Sequence, residues 1–335
     1  MNTDIYVIAE VGSVHDGSFG NALKMIETAA MCGADAVKFQ THIPSAETLN
    51  NAPQPCYFNT EPRFEYFART GFSLQQWRDL KAKADGLNID FLSSPFSEAA
   101  VELLEKIGIS RYKIPSGEVT NLPMLQLIAQ TGKPVLLSSG MSDWMELDRA
   151  VKLILNHHEH LCVMQCSSIY PCPDEKVGLN LIDEMAKYWG ISIGYSDHTL
   201  ENYACFAAAS LGVSVIEKHL TFSRLMYGSD ACHSAEPKQF SQLVQGIRAI
   251  SRMRTNPIDK NDLSTYIDMK QIFEKSVVSI QNISKGSLIG KEMVSVKKPG
   301  TGIPAARLGE VVGAKAARNV AADCLLQDDD ILWPD

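Results

Sequence analysis

Eight short, almost continuously apolar segments recur along the chain, at residues 5–11, 34–40, 89–94, 112–116, 134–139, 161–167, 191–198 and 213–221. Strands that are half exposed alternate apolar and polar residues. Runs such as IYVIAEV, PVLLSS and LCVMQCS do not, so they read as parallel strands covered on both faces. Between them, apolar residues recur at helical spacing over 20–32, 73–84, 98–107, 122–131, 143–156, 181–189, 201–211 and 237–253. Residues 20–32 place Ala22, Leu23, Ile26 and Ala30 on one stripe, and Ser73 with Gln76 has capping-box spacing.

Strand and helix alternate eight times over about 250 residues, which predicts a (β/α)8 barrel, a TIM barrel, over residues 1–253. A doubly wound open sheet fits less well, because no GxGxxG follows the first strand. Residues 254–269 are polar, carry a proline and read as a linker with a helical end. From 270 to 335 the pattern changes to short β-branched pieces punctuated by glycine (SVVSIQNISKGSLIGKEMVSVKKPGTGIP). This predicts a small, mostly β module, marginal alone and expected to dock on its own or a neighbouring barrel.

Composition narrows the class. With 45% hydrophobic and 21% charged residues among 335, the chain has material for a sizeable core. No apolar run reaches membrane-spanning length, and MNTDIYVIAEVG has no basic segment ahead of its apolar run. The expectation is a cytoplasmic protein with reduced thiols; the eight cysteines form no CxxC. A net charge of −8 argues against nucleic acid or an anionic membrane as partner.

The chemistry is expected where each strand ends, because barrel active sites gather there. Nearly every strand ends in polar groups: Glu10; Lys38 and Gln40; Ser93 and Ser94; Lys113 and Ser116; Ser138 and Ser139; Gln165, Ser167 and Ser168; Ser196, Asp197 and His198; Glu217 and His219. Residues two apart share a face, so Lys38 with Gln40, Ser196 with His198 and Glu217 with His219 point together, and Lys218 points away. His198 and His219 end neighbouring strands and are candidate ligands for a divalent metal, or simply two hydrogen-bonded histidines. Lys38 and Lys113 would make a positive pocket for a phosphate or carboxylate, with the serines as donors. Alternatively one lysine is a Schiff-base nucleophile, or both are structural partners of Glu10 and Glu217. His157, His158 and His160 read as a solvated cluster at a helix end, and pattern cannot rank His42 or His233. GxSxG, Walker A and HExxH are absent.

These segments also carry a resemblance. IAEVGSVHDGS, GADAVKFQTH, FLSSPFS, YKIPSGEVTNLP, GKPVLLSSGM, QCSSIYPCP, GYSDHTLENYA, VIEKHLTF and VKKPGTGI span nearly the whole chain. Together they resemble the N-acetylneuraminate (sialic acid) synthase family of bacterial nonulosonate synthases. The resemblance implies a barrel followed by a type III antifreeze-like (SAF) domain, and a domain-swapped homodimer. It implies condensation of phosphoenolpyruvate with an N-acetylated sugar aldehyde, to give a nine-carbon 2-keto acid and phosphate. By motif, His198 and His219 would hold the metal, usually manganese, with magnesium or cobalt as alternatives. Lys38, Ser94, Lys113, Ser116, Ser138, Ser168 and Ser196 would bind phosphoenolpyruvate. Glu10, Gln40, Tyr170, Asp230 and Lys298 would contact the sugar, and Glu10 is the candidate proton carrier.

Three positions depart from the family pattern. Val14 stands where asparagine is usual, Lys298 where the motif has arginine, and MYGSD replaces MPGPD before Asp230. All three fall on the sugar side, so a 2,4-diacetamido-trideoxyhexose is weighed as acceptor beside N-acetylmannosamine. A lysine-imine lyase and a non-catalytic sugar- or ice-binding protein are the competing readings.

Overall fold

The computed structural model describes residues 4–53 and 61–333. Cys56 lies outside them. The chain divides into two compact units, Met1–Asn256 and Pro257–Asp335.

In the first unit, strands and helices alternate as the apolar pattern predicts. In order they are β1 (Tyr6–Gly12), α1 (Phe19–Met31), β2 (Ala36–Thr41), α2 (Pro44–Glu47), α3 (Arg63–Thr70), α4 (Leu74–Gly86), β3 (Asp90–Pro95), α5 (Glu98–Ile107), β4 (Tyr112–Ile114), α6 (Leu122–Gln130), β5 (Val135–Ser138), α7 (Trp144–Leu155), β6 (Leu161–Cys166), α8 (Asn180–Trp189), β7 (Ser192–Asp197), α9 (Tyr203–Leu211), β8 (Val215–His219) and α10 (Pro237–Thr255). All the strand pairings are parallel. β1 pairs with both β2 and β8, so the first and last strands are neighbours, and β3 abuts β4 to complete the barrel. The short α2 and α3 were not anticipated; they interrupt the connection between β2 and α4.

Local chemistry sets the helix starts. Ser73 and Asp143 each form a reciprocal capping box, with Gln76 and Glu146, and Ser97 and Asn121 cap α5 and α6. Each such cap contributes about 1 kcal/mol by pairing amides that the first turn leaves open. The main core lies between strands and helices, and includes Val7, Ala9, Phe39, Leu104, Ile128, Val151 and Ile216. Each large side chain buried there contributes about 1.5–3 kcal/mol. A second, smaller cluster fills the barrel interior with Ile8, Ala36, Leu92, Leu136, Cys162, Met164 and Val215. One step further along the same inward-facing positions come Glu10, Lys38, Ser94, Ser138, Cys166 and Glu217, all buried. The barrel is therefore apolar at its lower end and polar at its upper end.

The second unit contains α11 (Ile267–Phe273), β9 (Ser276–Ser279), β10 (Val294–Lys297), α12 (Leu308–Val311), β11 (Lys315–Ala316) and β12 (Ile331–Leu332). Two antiparallel pairs, β9–β10 and β11–β12, surround a small core of Val277, Ile283, Ile289, Ile303, Val311 and Leu326.

Lys218, which points away from the barrel axis, lies in a buried network on the outer side of β7 and β8. Its Nζ donates to Asp197 Oδ2 at 2.5 Å and to the carbonyls of Thr199 and Glu201 at 2.7 and 3.0 Å. Asp197 Oδ1 accepts from Tyr195 OH and from the Thr199 amide. The two residues are register partners across β7 and β8, and each immediately precedes one of the two candidate histidines. Removing one member strands a charge away from water. Lys218→Met is expected to destabilise the barrel by about 3–5 kcal/mol, read from the urea midpoint of its unfolding transition. Replacing both partners with apolar residues is expected to recover part of that loss.

Candidate active site

The polar end of the barrel is organised by four charged side chains. Lys38 Nζ lies 2.8 Å from Glu10 Oε2 and 3.8 Å from Glu217 Oε2, and Lys113 Nζ donates to Glu217 Oε1 at 2.9 Å. Side-chain exposure is 6% or less for all four. The ion pairs offered by the sequence as a structural alternative are thus present. They leave the pocket less positive than two lysines alone would make it.

Burial drives the titration of this quartet, and neighbours decide its sign. Burial pushes the Glu10 carboxyl up to about 7, with Lys38 opposing the rise. Burial also acts on Glu217, but Lys113 and Lys38 outweigh it and hold this carboxyl down at about 2. Burial opposes the charge on Lys38, yet Glu10 and Glu217 more than offset that and raise its pKa. Glu217 is then a fixed anion and Glu10 the group that can exchange a proton near neutrality. Glu217, which the sequence offers only as a partner for lysine, is a central residue of the site. Its inward parity beside His219 was the available signal.

The serines surround the quartet. Ser94 Oγ accepts from Lys38 Nζ at 3.1 Å, and Ser196 Oγ donates to Glu217 Oε1 at 3.1 Å. Ser116 Oγ accepts the Gly140 amide at 3.1 Å. A side chain at Gly140 would begin 2.4 Å from Ser168 Oγ and 2.7 Å from Ser116 Oγ. Both hydroxyls therefore converge on a position that only glycine leaves open. Ser138 is buried at the end of β5.

His198 and His219 come together, with ring centroids 5.7 Å apart. His198 Nδ1 donates to the Ser167 carbonyl at 2.7 Å, and its Nε2 lies 2.9 Å from Tyr170 OH. An imidazole anchored through a backbone carbonyl is how proteins orient a metal ligand. Burial lowers the His219 pKa to about 4, keeping the ring neutral. Its Nδ1 is buried without a hydrogen-bond partner. A buried, unpartnered, neutral imidazole beside a second oriented one fits a cation. Among the described residues, no set of three or more His, Cys, Asp and Glu side chains is arranged to hold a metal, so further ligands would be water or substrate.

On the other side of the quartet, Gln40 Nε2 donates to Glu10 Oε1 at 2.9 Å. Asp230 Oδ2 lies near the Ser13 amide and hydroxyl, at 3.4 and 3.5 Å. Gly12, at φ +54°, makes room for it: a side chain there would start 2.5 Å from Asp230 Oδ2. Val14 is buried, and His15 packs on Phe72 with ring centroids 4.7 Å apart. Sequence pattern left His42 unranked, but the structure places it in this group, 3.1 Å from Gln40 Oε1. Lys298 belongs to the second unit, where its ammonium stands 4.8 Å from the Phe273 ring centroid.

Comparisons with known proteins identify the family and the fold. Residues 25–259 match the NeuB family and residues 274–332 the SAF domain. The chain is 34% identical to N,N'-diacetyllegionaminic acid synthase of Campylobacter jejuni, over 96% of this chain and 98% of that one. It is 31% identical to human N-acetylneuraminate-9-phosphate synthase, over 97% and 92%. Among solved structures, N-acetylneuraminic acid synthetase from Leptospira borgpetersenii, in complex with citrate, aligns with a TM-score of 0.72 at 28% identity, covering 80% of this chain and 90% of that one. The fold is a TIM barrel followed by an SAF domain, and the chain belongs to the NeuB family of sialic acid-type synthases.

Proposed function

We propose that the barrel condenses phosphoenolpyruvate with an N-acetylated sugar aldehyde, yielding a nine-carbon 2-keto sugar acid and phosphate. One observation carries most of the weight. His219, whose Nδ1 is buried without a partner, ends β8 two residues after Glu217 of the Lys38–Glu10–Glu217–Lys113 quartet. A scaffold or sugar-binding protein has no use for so costly an arrangement.

In this reading Lys38 and Lys113 offset phosphate and carboxylate charge, and Ser94, Ser116, Ser138, Ser168 and Ser196 supply hydroxyls around them. A divalent cation held by His198 and His219, manganese by preference, would supply a Lewis acid for the aldehyde oxygen. Gln40, Tyr170 and Asp230 would bind the sugar. Water adds at C2 of phosphoenolpyruvate, C3 bonds to the aldehyde carbon, and phosphate departs with its C–O bond broken. The proton lost by water is held at Glu10, and the aldehyde oxygen gains one to become a hydroxyl.

A lysine imine is disfavoured, because both lysines are held as ammonium partners of carboxylates. The departures at Val14 and Lys298 support a modified acceptor, a 2,4-diacetamido-trideoxyhexose. Pairing of two copies is proposed with the same function. No described helix is long and apolar enough to cross a membrane.

Phosphate release from phosphoenolpyruvate is expected to require both an acceptor and a divalent metal, and to stop with a chelator. Release that ignores the acceptor, or a borohydride-trapped lysine adduct with pyruvate, would remove the assignment. Electron paramagnetic resonance titration is expected to show manganese binding that His219→Ala abolishes. Glu10 must be ionised to accept a proton, and its pKa is about 7. The acceptor's kcat/KM is therefore expected to rise as pH climbs through about 7, a limb that Glu10→Gln removes. Gly140→Ala, which crowds Ser116 and Ser168, is expected to raise the phosphoenolpyruvate KM about tenfold or more with an unchanged melting temperature.

A further inference from the structure

Just beyond β2, the His42 ring is sandwiched between the side chains of Phe67 and Phe96. The ring centroids are 3.6 and 4.0 Å away, with interplanar angles of 19° and 22°. Its edges are equally committed. Nδ1 lies 2.8 Å from Glu47 Oε1, and Nε2 lies 3.1 Å from Gln40 Oε1. Glu47 is itself fixed, because its other oxygen accepts the Ile43 amide at 3.2 Å. Four groups thus stand in line: the Glu47 carboxylate, the His42 imidazole, the Gln40 amide and the Glu10 carboxyl.

A side-chain amide has a donor end and an acceptor end, and turning it over exchanges them. The Glu47 carboxylate takes the Nδ1 proton. If Nε2 also carries a proton, it donates to the Gln40 carbonyl and the amide NH2 must face Glu10. If Nε2 is bare, it accepts from the NH2, and the carbonyl faces Glu10 instead. The imidazole therefore decides which end of Gln40 meets the carboxyl at the centre of the site.

We propose that His42, clamped by Glu47 and stacked between Phe67 and Phe96, is a positioning residue that sets the orientation of the Gln40 amide. Through Gln40 it determines the hydrogen-bonding face that Glu10 and the acceptor sugar encounter. The kinetic consequence rests on the synthase reading; the hydrogen-bond order does not.

Two measurements separate these. The first uses the full-length protein with 15N-labelled histidine and no substrate. His42 is expected to give a protonated Nδ1 signal that weakens in Glu47→Leu, and an Nε2 signal that shifts in Gln40→Leu. An Nε2 signal unmoved by Gln40→Leu would overturn the proposal whether or not the protein is a synthase. The second uses His42→Phe, which keeps the aromatic sandwich and removes both nitrogens. The acceptor KM is expected to rise about fivefold to tenfold, the yield of losing one directed hydrogen bond, with the phosphoenolpyruvate KM unchanged. Glu47→Gln, which keeps one acceptor oxygen for Nδ1 but sets its NH2 against the Ile43 amide, is expected to raise the acceptor KM less than His42→Phe does. Equal losses for both substrates, or none, in an otherwise active enzyme would refute the positioning role. A wild type that releases no phosphate, with the nitrogen shifts as expected, would remove the synthase reading alone.

Discussion

Four charged side chains are buried together at the polar end of the barrel, and most of the site follows from how they are paired. A lone ammonium or carboxylate at the centre of a barrel would either lose its charge or unfold its surroundings. Here Lys113 and Glu217 pair, Lys38 spans Glu10 and Glu217, Ser94 accepts from Lys38 and Ser196 donates to Glu217, while Glu10 Oε2 and Glu217 Oε2 rest on ion pairing alone. The result is asymmetric. Glu217 is held as an anion by two lysines, while Glu10 is left near its point of titration. One carboxylate is structural to the electrostatics and the other is free to act.

The same division of labour runs through the strands that carry the histidines. On the inner side, His198 and His219 bring their rings within 5.7 Å of each other. On the outer side, the preceding residues, Asp197 and Lys218, form a buried ion pair that ties β7 to β8. Alternation along a strand lets neighbouring residues serve opposite layers, one chemical and one mechanical. A buried pair of this kind adds little net stability over apolar packing, but it tolerates no loss of a single partner. Its value here is geometric, since the separation of the two imidazoles depends on the register it holds.

Much of the barrel was legible because buried parallel strands leave an unbroken apolar signature, and capping residues mark where helices begin. Glu98–Ile107 is recovered to the residue, because Ser97 caps one end and Gly108 ends the other in a left-handed turn. The short helices Pro44–Glu47 and Arg63–Thr70 were not legible: they are too brief for a periodic pattern to build up. Glu217 and His42 were visible as residues but not as participants. Glu217 was read as a partner for lysine, and His42 lay beyond a strand end, where neither parity nor period orients a side chain.

The sequence by itself determined the strand–helix alternation, the polar crown at the strand ends and the motifs that mark the family. These are local properties, written in consecutive side chains and in spacings of two or about 3.6 residues. Only the tertiary structure decided which lysine meets which carboxylate, which histidine nitrogen is left without a partner, and that Glu47, His42, Gln40 and Glu10 stand in one line. Each of those relations depends on side chains brought within hydrogen-bond distance by strand register and barrel closure. Burial then shifts their proton affinities, and burial is a property of the packed molecule that no stretch of chain carries alone.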